Sequence, residues 1–425
     1  MFDTSYQSPW RGSIVMAPSG RYLDQTPRRE RAAFRPSIGS STSEELPPDL
    51  NIMEGLVEAP LTNIPVPSLD PDQEDIRVTQ CTYIGSYNWL KGESPAILVP
   101  GSPPLWQNRP VPYTIPPDTG VHYSDQNGYR MPGVVLLPLI EAVNKVKKTP
   151  FEWTSVDIVT DRNNLRKLTR WAGGGEVRDF RIDLQLAGKK TVLMNRWEKR
   201  NREMFNGRTY GFSFEKASTN YAPECKDSAG HHRIVTYELR GLKMVVRFEV
   251  DAAIPPPAKY PRRSISSMDE LTKSMNQIAL SRPASRSGKL QIFEGGSQVS
   301  PTAVVELTTR SQSTLKTYGF DWKEAYPQLF FSQTAHHFLA IHNRGRFVDI
   351  QKRKLSSEEL RAVEDDSQVE LKKVRMALDL IKEVVIEHGL EGRISLVCLG
   401  GELKVYKRSS NESCLPDQTM KFFEA

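Results

Sequence analysis

Cysteine is scarce and scattered in this sequence. The chain of 425 residues contains four cysteines, Cys81, Cys225, Cys398 and Cys414, and no two of them form a CxxC pair. This spacing excludes a zinc ribbon and a disulfide framework, and it favours a reducing compartment.

Long apolar runs are absent as well. A bilayer span needs roughly 20 consecutive apolar residues, and the run VVLLPLIEAV from Val134 is broken by Pro138 and Glu141. The N-terminus lacks the apolar core of a signal peptide, and Asp3 and Asp24 argue against a transit peptide. We therefore expect no membrane partner and a location in the nucleus or the cytoplasm.

Several catalytic signatures are also missing. The triple glycine at 173–175 precedes no GK[ST], so it predicts a flexible turn rather than a phosphate-binding loop. The sequence contains no GxSxG elbow and no HExxH motif, which argues against a serine hydrolase and a zinc protease. The pairs His231-His232 and His336-His337 favour packing or surface roles, because adjacent residues of a strand face opposite ways.

Charge and composition set broad limits on the function. The formal net charge of +6 comes from 57 basic and 51 acidic residues, which permits an anionic partner without requiring one. A hydrophobic fraction of 38% fits a soluble globular body with irregular segments. The length allows one large core or two smaller ones.

Two breaks in composition divide the chain. Residues 1–75 mix Ser, Pro, Arg and acidic residues without periodicity and are expected to form a disordered tail. A folded body is expected over 76–415, interrupted by a mobile insertion at 254–300 with a short helix around 268–280, and followed by a C-terminal tail at 416–425.

The folded body alternates between helical and strand periodicity. FRIDLQLAG with KTVLMNRWE, the two halves of HRIVTYELRGLKMVVRFEVDAAI, and ISLVCL with ELKVYKR all predict paired strands. The spacing of Val374, Ala377, Leu378, Ile381, Val384 and Val385 predicts a helix that ends just before Gly389. We predict an α+β fold with a mixed central β-sheet flanked by helices.

Acidic residues recur on the predicted polar faces of three separate segments. In VVRFEVDAAI, Glu249 and Asp251 share a strand face with Arg247, and in VVELTTRS, Glu306 shares a face with Thr308. Each acid alone also fits a solvated surface. Three acids from distant segments, Glu215 in GFSFEKAST with Asp251 and Glu306, also suit a hard cation such as Mg²⁺ or Mn²⁺. Two such ions about 4 Å apart can clamp a phosphodiester.

The order of these motifs resembles the decapping exoribonucleases, a DXO-like branch of the PD-(D/E)XK nuclease fold. The resemblance covers roughly residues 79–410 and is carried by DIVTDRNNLRKL, GFSFEKA, RFEVDA, VVELTTR and QLFFSQTAHHFLAIHNRGRF. The family implies a nuclease that removes caps or 5′ nucleotides from RNA 5′ ends. It also raises the question of a protein partner exonuclease, and it leaves the oligomeric state open.

The resemblance also assigns residues. It implies that Mg²⁺ or Mn²⁺ is bound by Glu215, Asp251 and Glu306, with Glu249 in support through water. It places Arg162 and Gln333 on the substrate. The catalytic set that follows from it is Glu249, Asp251, Glu306 and Thr308.

Thr308 departs from the family, which has lysine at this position. A lysine amine beside the attacking water would polarise it and offset charge in the transition state, and threonine carries no charge. One reading supplies the cation from elsewhere, with Lys243, Arg247 and Arg310 as candidates. The other reading is slowed or lost catalysis with RNA binding retained in the same groove.

Overall fold

The computed structural model describes residues 46–69, 73–174, 177–256 and 289–424. Its strands are β1 (Leu56–Ile64), β2 (Val78–Leu90), β3 (Ala96–Pro100), β4 (Leu105–Trp106), β5 (Tyr113–Thr114), β6 (Thr119–Tyr123), β7 (Ile158–Asp161), β8 (Phe180–Ala187), β9 (Thr191–Trp197), β10 (Arg202–Asn206), β11 (Thr219–Asn220), β12 (Ser228–Leu239), β13 (Leu242–Glu249), β14 (Ala252–Ala253), β15 (Gln291–Gly295), β16 (Val304–Ser311), β17 (His336–Asn343), β18 (Arg346–Lys354), β19 (Ile394–Leu399) and β20 (Glu402–Arg408). Its helices are α1 (Gln126–Arg130), α2 (Leu137–Val146), α3 (Arg162–Ala172), α4 (Gly211–Ser218), α5 (Gln312–Tyr318), α6 (Trp322–Ser332), α7 (Glu358–Asp366), α8 (Gln368–His388) and α9 (Asp417–Met420).

The strands of the described residues form three sheets. The largest has 11 strands in the order β1-β20-β19-β8-β9-β7-β13-β12-β2-β3-β15, and a second has seven in the order β11-β4-β14-β16-β17-β18-β5. β6 and β10 form a separate two-stranded ribbon. Both large sheets mix parallel pairs, such as β7 with β13 and β16 with β17, and antiparallel pairs. The predicted α+β fold with mixed sheet and flanking helices is confirmed.

Two of the three predicted strand pairs, β12–β13 and β19–β20, close through two-residue turns. β12 and β13 pair up to Leu239 and Leu242, and the turn residues Arg240 and Gly241 have φ values of 45° and 81°. Positive φ at both positions is the turn that matches the twist of a hairpin. Gly400 and Gly401 provide the same geometry between β19 and β20.

Helices α3, α6 and α8 cover the middle of the large sheet. The apolar stripe predicted for α8 is buried except at Val384, which is half-buried, and the helix ends before Gly389, where φ is 69°. Trp171 of α3 lies in the same core as Leu378 and Ile381. None of the described helices is long and apolar enough to cross a membrane.

The structure differs from the predicted tails. β1 lies within the segment expected to be disordered, yet it pairs antiparallel with β20 at the edge of the large sheet. Most of its side chains are exposed, so backbone hydrogen bonds rather than apolar burial order it. At the other end, Phe423 is buried against Trp153, with ring centroids 5.4 Å apart, so the predicted C-terminal tail belongs to the body.

The predicted insertion at 254–300 is partly structured. Gln291–Gly295 forms β15, which pairs parallel with β3. The predicted short helix around 268–280 lies outside the described residues.

Candidate active site

The candidate site lies where the chain passes from one large sheet to the other. β13 ends at Glu249, and β14 begins at Ala252 in the second sheet, so Asp251 lies in the crossing. Ala252 pairs antiparallel with Val305, which brings Asp251 opposite Glu306 on β16. The Asp251 carboxylate accepts a hydrogen bond from the backbone N–H of Leu307 at 2.7 Å. Two of the predicted acids therefore meet at the junction of the sheets.

Arg162 binds one of these acids. It is the first residue of α3, directly after β7, and β7 lies beside β13 in the sheet. Its guanidinium donates to the Glu306 carboxylate at 2.8 Å, and both side chains are only 11% exposed. The predicted substrate-binding arginine thus lies at the carboxylates.

Charge interactions link Glu215 and Glu249 to Asp251 and Glu306. Burial, followed by the charges of Glu249, Glu306 and Asp118, raises the pKa of Glu215 on α4 to about 8. Burial, Glu306 and Glu215 raise the pKa of Asp251 well above its usual value. Charge interactions therefore link Glu215, Glu249, Asp251 and Glu306.

Glu249 occupies the more open side of this cluster. Burial by its surroundings raises its pKa, while Arg162 and Arg196 oppose the rise. The residue is nevertheless exposed at the end of β13, whereas Glu215 and Asp251 are half-buried, so solvent offsets part of this rise. A Cβ atom at Gly230 on the neighbouring β12 would lie 2.9 Å from its Oε1, so a larger residue there would displace this carboxylate.

The donor set suits a hard divalent cation. It consists of carboxylate oxygens, the ligands that Mg²⁺ and Mn²⁺ prefer. Burial is the main cause of the raised pKa values of Glu215 and Asp251, and the neighbouring acids add to it, so a bound cation would favour their ionised forms. As the described side chains are placed, no three acidic, histidine or cysteine groups already form a metal-binding cluster.

Thr308 follows Glu306 by two residues on β16, and its hydroxyl lies 3.1 Å from Nε2 of His337 on the neighbouring β17. Burial lowers the pKa of His337 to about 4, so this imidazole is neutral near pH 7. Neither group brings a positive charge to the acids.

The three cations considered as substitutes for the missing amine have other partners. Lys243 donates to the Ser155 hydroxyl at 2.7 Å. Arg247 is held by two hydrogen bonds from its guanidinium to Asp161, and Arg310 donates to the carbonyl of Thr309.

The side chain of Gln333 makes its hydrogen bond away from the four acids. It ends α6 with φ of 50°, and its side-chain amide donates to the Phe330 carbonyl at 2.7 Å. It lines a cavity of about 600 Å³ together with Arg77 and Tyr326, and none of the four acids lines that cavity. Its role on the substrate stays a prediction.

The structure adds residues that sequence reasoning missed. Asp118, in the loop before β6, contributes charge to Glu215, and Arg196 on β9 acts on Glu249. Burial and the charges of Glu215 and Glu249 raise the pKa of Tyr221, which places its hydroxyl near the cluster. Asp118 and Arg196 lie far from the acidic motifs along the chain, whereas Tyr221 follows Glu215 closely, and the spacing of all three carries no signal.

Comparison with solved structures identifies the fold. Rai1 of S. pombe in complex with 3′-FADP is similar with a TM-score of 0.52 and 15% identity, covering 80% of this chain and 96% of that one. Rai1 of Candida albicans in complex with pU5-Mn²⁺ has a TM-score of 0.52 and 13% identity, covering 85% and 98%. Rai1 of Scheffersomyces stipitis has a TM-score of 0.53 and 11% identity, covering 81% and 97%. The resemblance predicted from the motifs is confirmed at the level of the fold.

Sequence comparison gives a narrower result. No curated protein matches the chain. Residues 69–423 match a family described as a domain of unknown function (DUF8563), and the chain belongs to this family.

Proposed function

We propose that this protein is a metal-dependent hydrolase that acts on RNA 5′ ends and removes caps or 5′ nucleotides. The observation that carries the proposal is the approach of Asp251 and Glu306 at the junction of the sheets, with the Arg162 guanidinium on Glu306 and with Glu215 and Glu249 linked to them by charge. These four acids come from three separate segments. Four acids in one partly buried space cost stability unless a cation offsets their charge. A phosphodiester is the substrate class that such an ion-binding site serves.

The proposal gives the acids and Arg162 different roles. Glu215, Asp251 and Glu306 would hold Mg²⁺ or Mn²⁺, and Glu249 would act through water. The bound ion would supply polarisation of the phosphate and activation of water. Arg162 has five N–H donors. One of them donates to the Glu306 carboxylate, and the remaining donors can bind phosphate oxygens.

The similar structures support the substrate class. The Rai1 of Candida albicans was solved with pU5-Mn²⁺, and a Rai1 of Scheffersomyces stipitis with (3′-NADP)⁺ and calcium ion. A nucleotide phosphate together with a divalent cation is the chemistry that our proposal assigns to this chain.

A second candidate is an RNA-binding protein without turnover. It is favoured by Thr308, because the position next to the acids carries a hydroxyl bonded to a neutral imidazole rather than an amine. The metal site and Arg162 would then bind RNA without completing hydrolysis.

One assay separates the two candidates. The purified chain is incubated with 5′-capped and 5′-phosphorylated RNA and Mn²⁺, beside Glu306→Ala, Thr308→Lys and the control Glu383→Ala, whose side chain is exposed on α8. Products that disappear in Glu306→Ala and persist in the control support the hydrolase. Tight binding without products, with turnover gained in Thr308→Lys, supports the binding protein. Neither binding nor turnover in any of these proteins overturns both.

A further inference from the structure

Three aromatic rings contact one another on one face of the β6–β10 ribbon. The rings of His122 and Phe212 are nearly parallel, with centroids 4.0 Å apart and planes at 15°. Phe205 meets both edge-on, at 5.1 Å from Phe212 and 5.4 Å from His122. All three side chains are partly exposed. We call this set the ribbon aromatic cluster.

This cluster is separate from the hydrophobic cores. Phe214, two residues after Phe212 on α4, is fully buried in the core of the second sheet. Within the described part of the chain, Phe205 and Phe212 neither belong to a core nor pack against one. Their rings are therefore arranged against one another while they keep contact with solvent.

A buried carboxylate fixes the cluster relative to the acids. Asp118 is 1% exposed and accepts hydrogen bonds from the Thr209 hydroxyl and the Ser213 N–H, both at 2.8 Å. Its own backbone N–H donates to the carbonyl of Thr209 at 2.7 Å. These bonds tie the start of β6 to the first turn of α4. The helix that carries Phe212 also carries Glu215.

The spacing on α4 brings the rings within reach of the carboxylates. Residues three apart on a helix are neighbours, with roughly 5–6 Å between their Cβ atoms. Phe212 and Glu215 have this spacing, so an aromatic face lies next to the position where a substrate phosphate would sit. Arg208 is exposed just before α4 and adds a positive charge close to Phe212 in the sequence.

We propose that His122, Phe205 and Phe212 form a stacking site for an unpaired nucleobase of the RNA whose phosphate lies at Glu215, Asp251 and Glu306. The inference rests on the proposed function. Bases present a π-face whatever their identity, so such a site binds single strands with little sequence preference. The stack would fix the nucleotide and so align its phosphate with the acids.

The test measures binding without turnover. A short fluorescein-labelled, 5′-phosphorylated oligouridylate is titrated with the protein in Ca²⁺, and binding is followed by fluorescence anisotropy. Phe212→Ala and Phe212→Leu should weaken binding roughly 5- to 150-fold, the range for one lost base-stacking contact. Phe212→Tyr should keep most of the affinity. The matched control is Met204→Ala, because Met204 is exposed and alternates with Phe205 on β10, so it lies on the opposite face.

Leucine keeps apolar bulk and removes the π-face, which separates stacking from loss of structure. The melting temperature of Phe212→Leu should stay near that of the parent protein. Unchanged affinity in folded Phe212→Leu overturns the stacking site. An equal loss in Met204→Ala overturns it as well.

Abasic oligonucleotides locate the stacked base. Replacing one base at a time should reveal one position near the 5′ end at which an abasic ribose weakens binding to the parent protein, with no further loss in Phe212→Leu. Equal losses in both proteins at every position overturn the proposal. A protein that shows this coupling but no hydrolysis would fail only the proposed hydrolase, whereas hydrolysis without the coupling would fail only the stacking site.

Discussion

Arg162 and Glu306 are joined by a 2.8 Å ion pair, and each side chain is only 11% exposed. The guanidinium comes from the start of α3, directly after β7 of the large sheet, and the carboxylate from β16, so the pair ties α3 to the second sheet. The Arg162 guanidinium supplies one positive charge beside four acidic residues. This relationship fixes how the site responds to substitution.

Removing Arg162 should destabilise the metal-free protein. Arg162→Met leaves the Glu306 carboxylate partly buried without its partner, a loss of about 3 kcal/mol for an ion pair of this burial. The double variant Arg162→Met/Glu306→Gln should recover much of this loss, because the unpaired charge is gone. Urea unfolding in EDTA measures the free energies of unfolding. Losses that simply add in the double variant would contradict the coupling.

The raised pKa of Glu215 predicts a pH-dependent stability. Its pKa is about 8 in the folded protein against 4.5 ordinarily. Between roughly pH 5 and 8 the folded protein keeps a proton that the unfolded chain releases, so the free energy of unfolding falls as pH rises. Each unit of pKa difference corresponds to about 1.4 kcal/mol. Melting temperatures in EDTA across this range should show the fall.

Comparison with Glu215→Gln isolates this contribution. Buried His337, whose pKa is lowered, acts in the opposite direction below about pH 6.5, but it is common to both proteins. Glu215→Gln should therefore gain stability over the parent at pH 8 and little at pH 5. Mn²⁺ should stabilise the parent more at pH 8 than at pH 6, since binding requires ionised carboxylates. A constant difference between parent and variant would refute the assignment.

The sequence predicted the elements of the site better than their junctions. Alternation in VVELTTRS predicted β16, and the apolar spacing predicted α8, because each is an amphipathic element with one buried face. The run VVRFEVDAAI reads as one strand, yet it splits at Val250 between two sheets. Nothing in its local pattern marks this crossing, which depends on the pairing of Ala252 with Val305.

The clearest failures of sequence reasoning share a cause. β1 is ordered by backbone pairing with β20 and buries little apolar surface, so its composition resembles a tail. Asp118 acts through hydrogen bonds to Thr209 and Ser213, which are about ninety positions away in the chain. Long-range polar contacts of this kind leave no periodic signal.

The buried pair Arg247–Asp161 should contribute to the stability of the fold rather than to catalysis. Arg247 is 1% exposed, and its Nε and Nη2 donate to the two oxygens of Asp161 at 2.7 and 2.8 Å. Arg247→Met should lower the free energy of unfolding by roughly 3–5 kcal/mol, since it leaves a buried carboxylate unpaired. Arg247→Met/Asp161→Leu should regain most of that loss. Urea titration of the three proteins decides this, and a mild effect of Arg247→Met would show that water reaches Asp161.

Asp118 should affect the affinity for Mn²⁺, because its hydrogen bonds hold the start of the helix that carries Glu215. Asp118→Ala removes the acceptor for Thr209 and Ser213 and leaves the backbone N–H of Ser213 without this partner, which costs roughly 1–3 kcal/mol. The freed start of α4 would hold Glu215 less firmly, so Mn²⁺ should bind more weakly by calorimetry. Asp118→Asn keeps one acceptor oxygen and removes the charge that helps to raise the pKa of Glu215. It should therefore lose less Mn²⁺ affinity than Asp118→Ala. Equal affinities in both variants would mean that Asp118 acts on Glu215 through its charge alone.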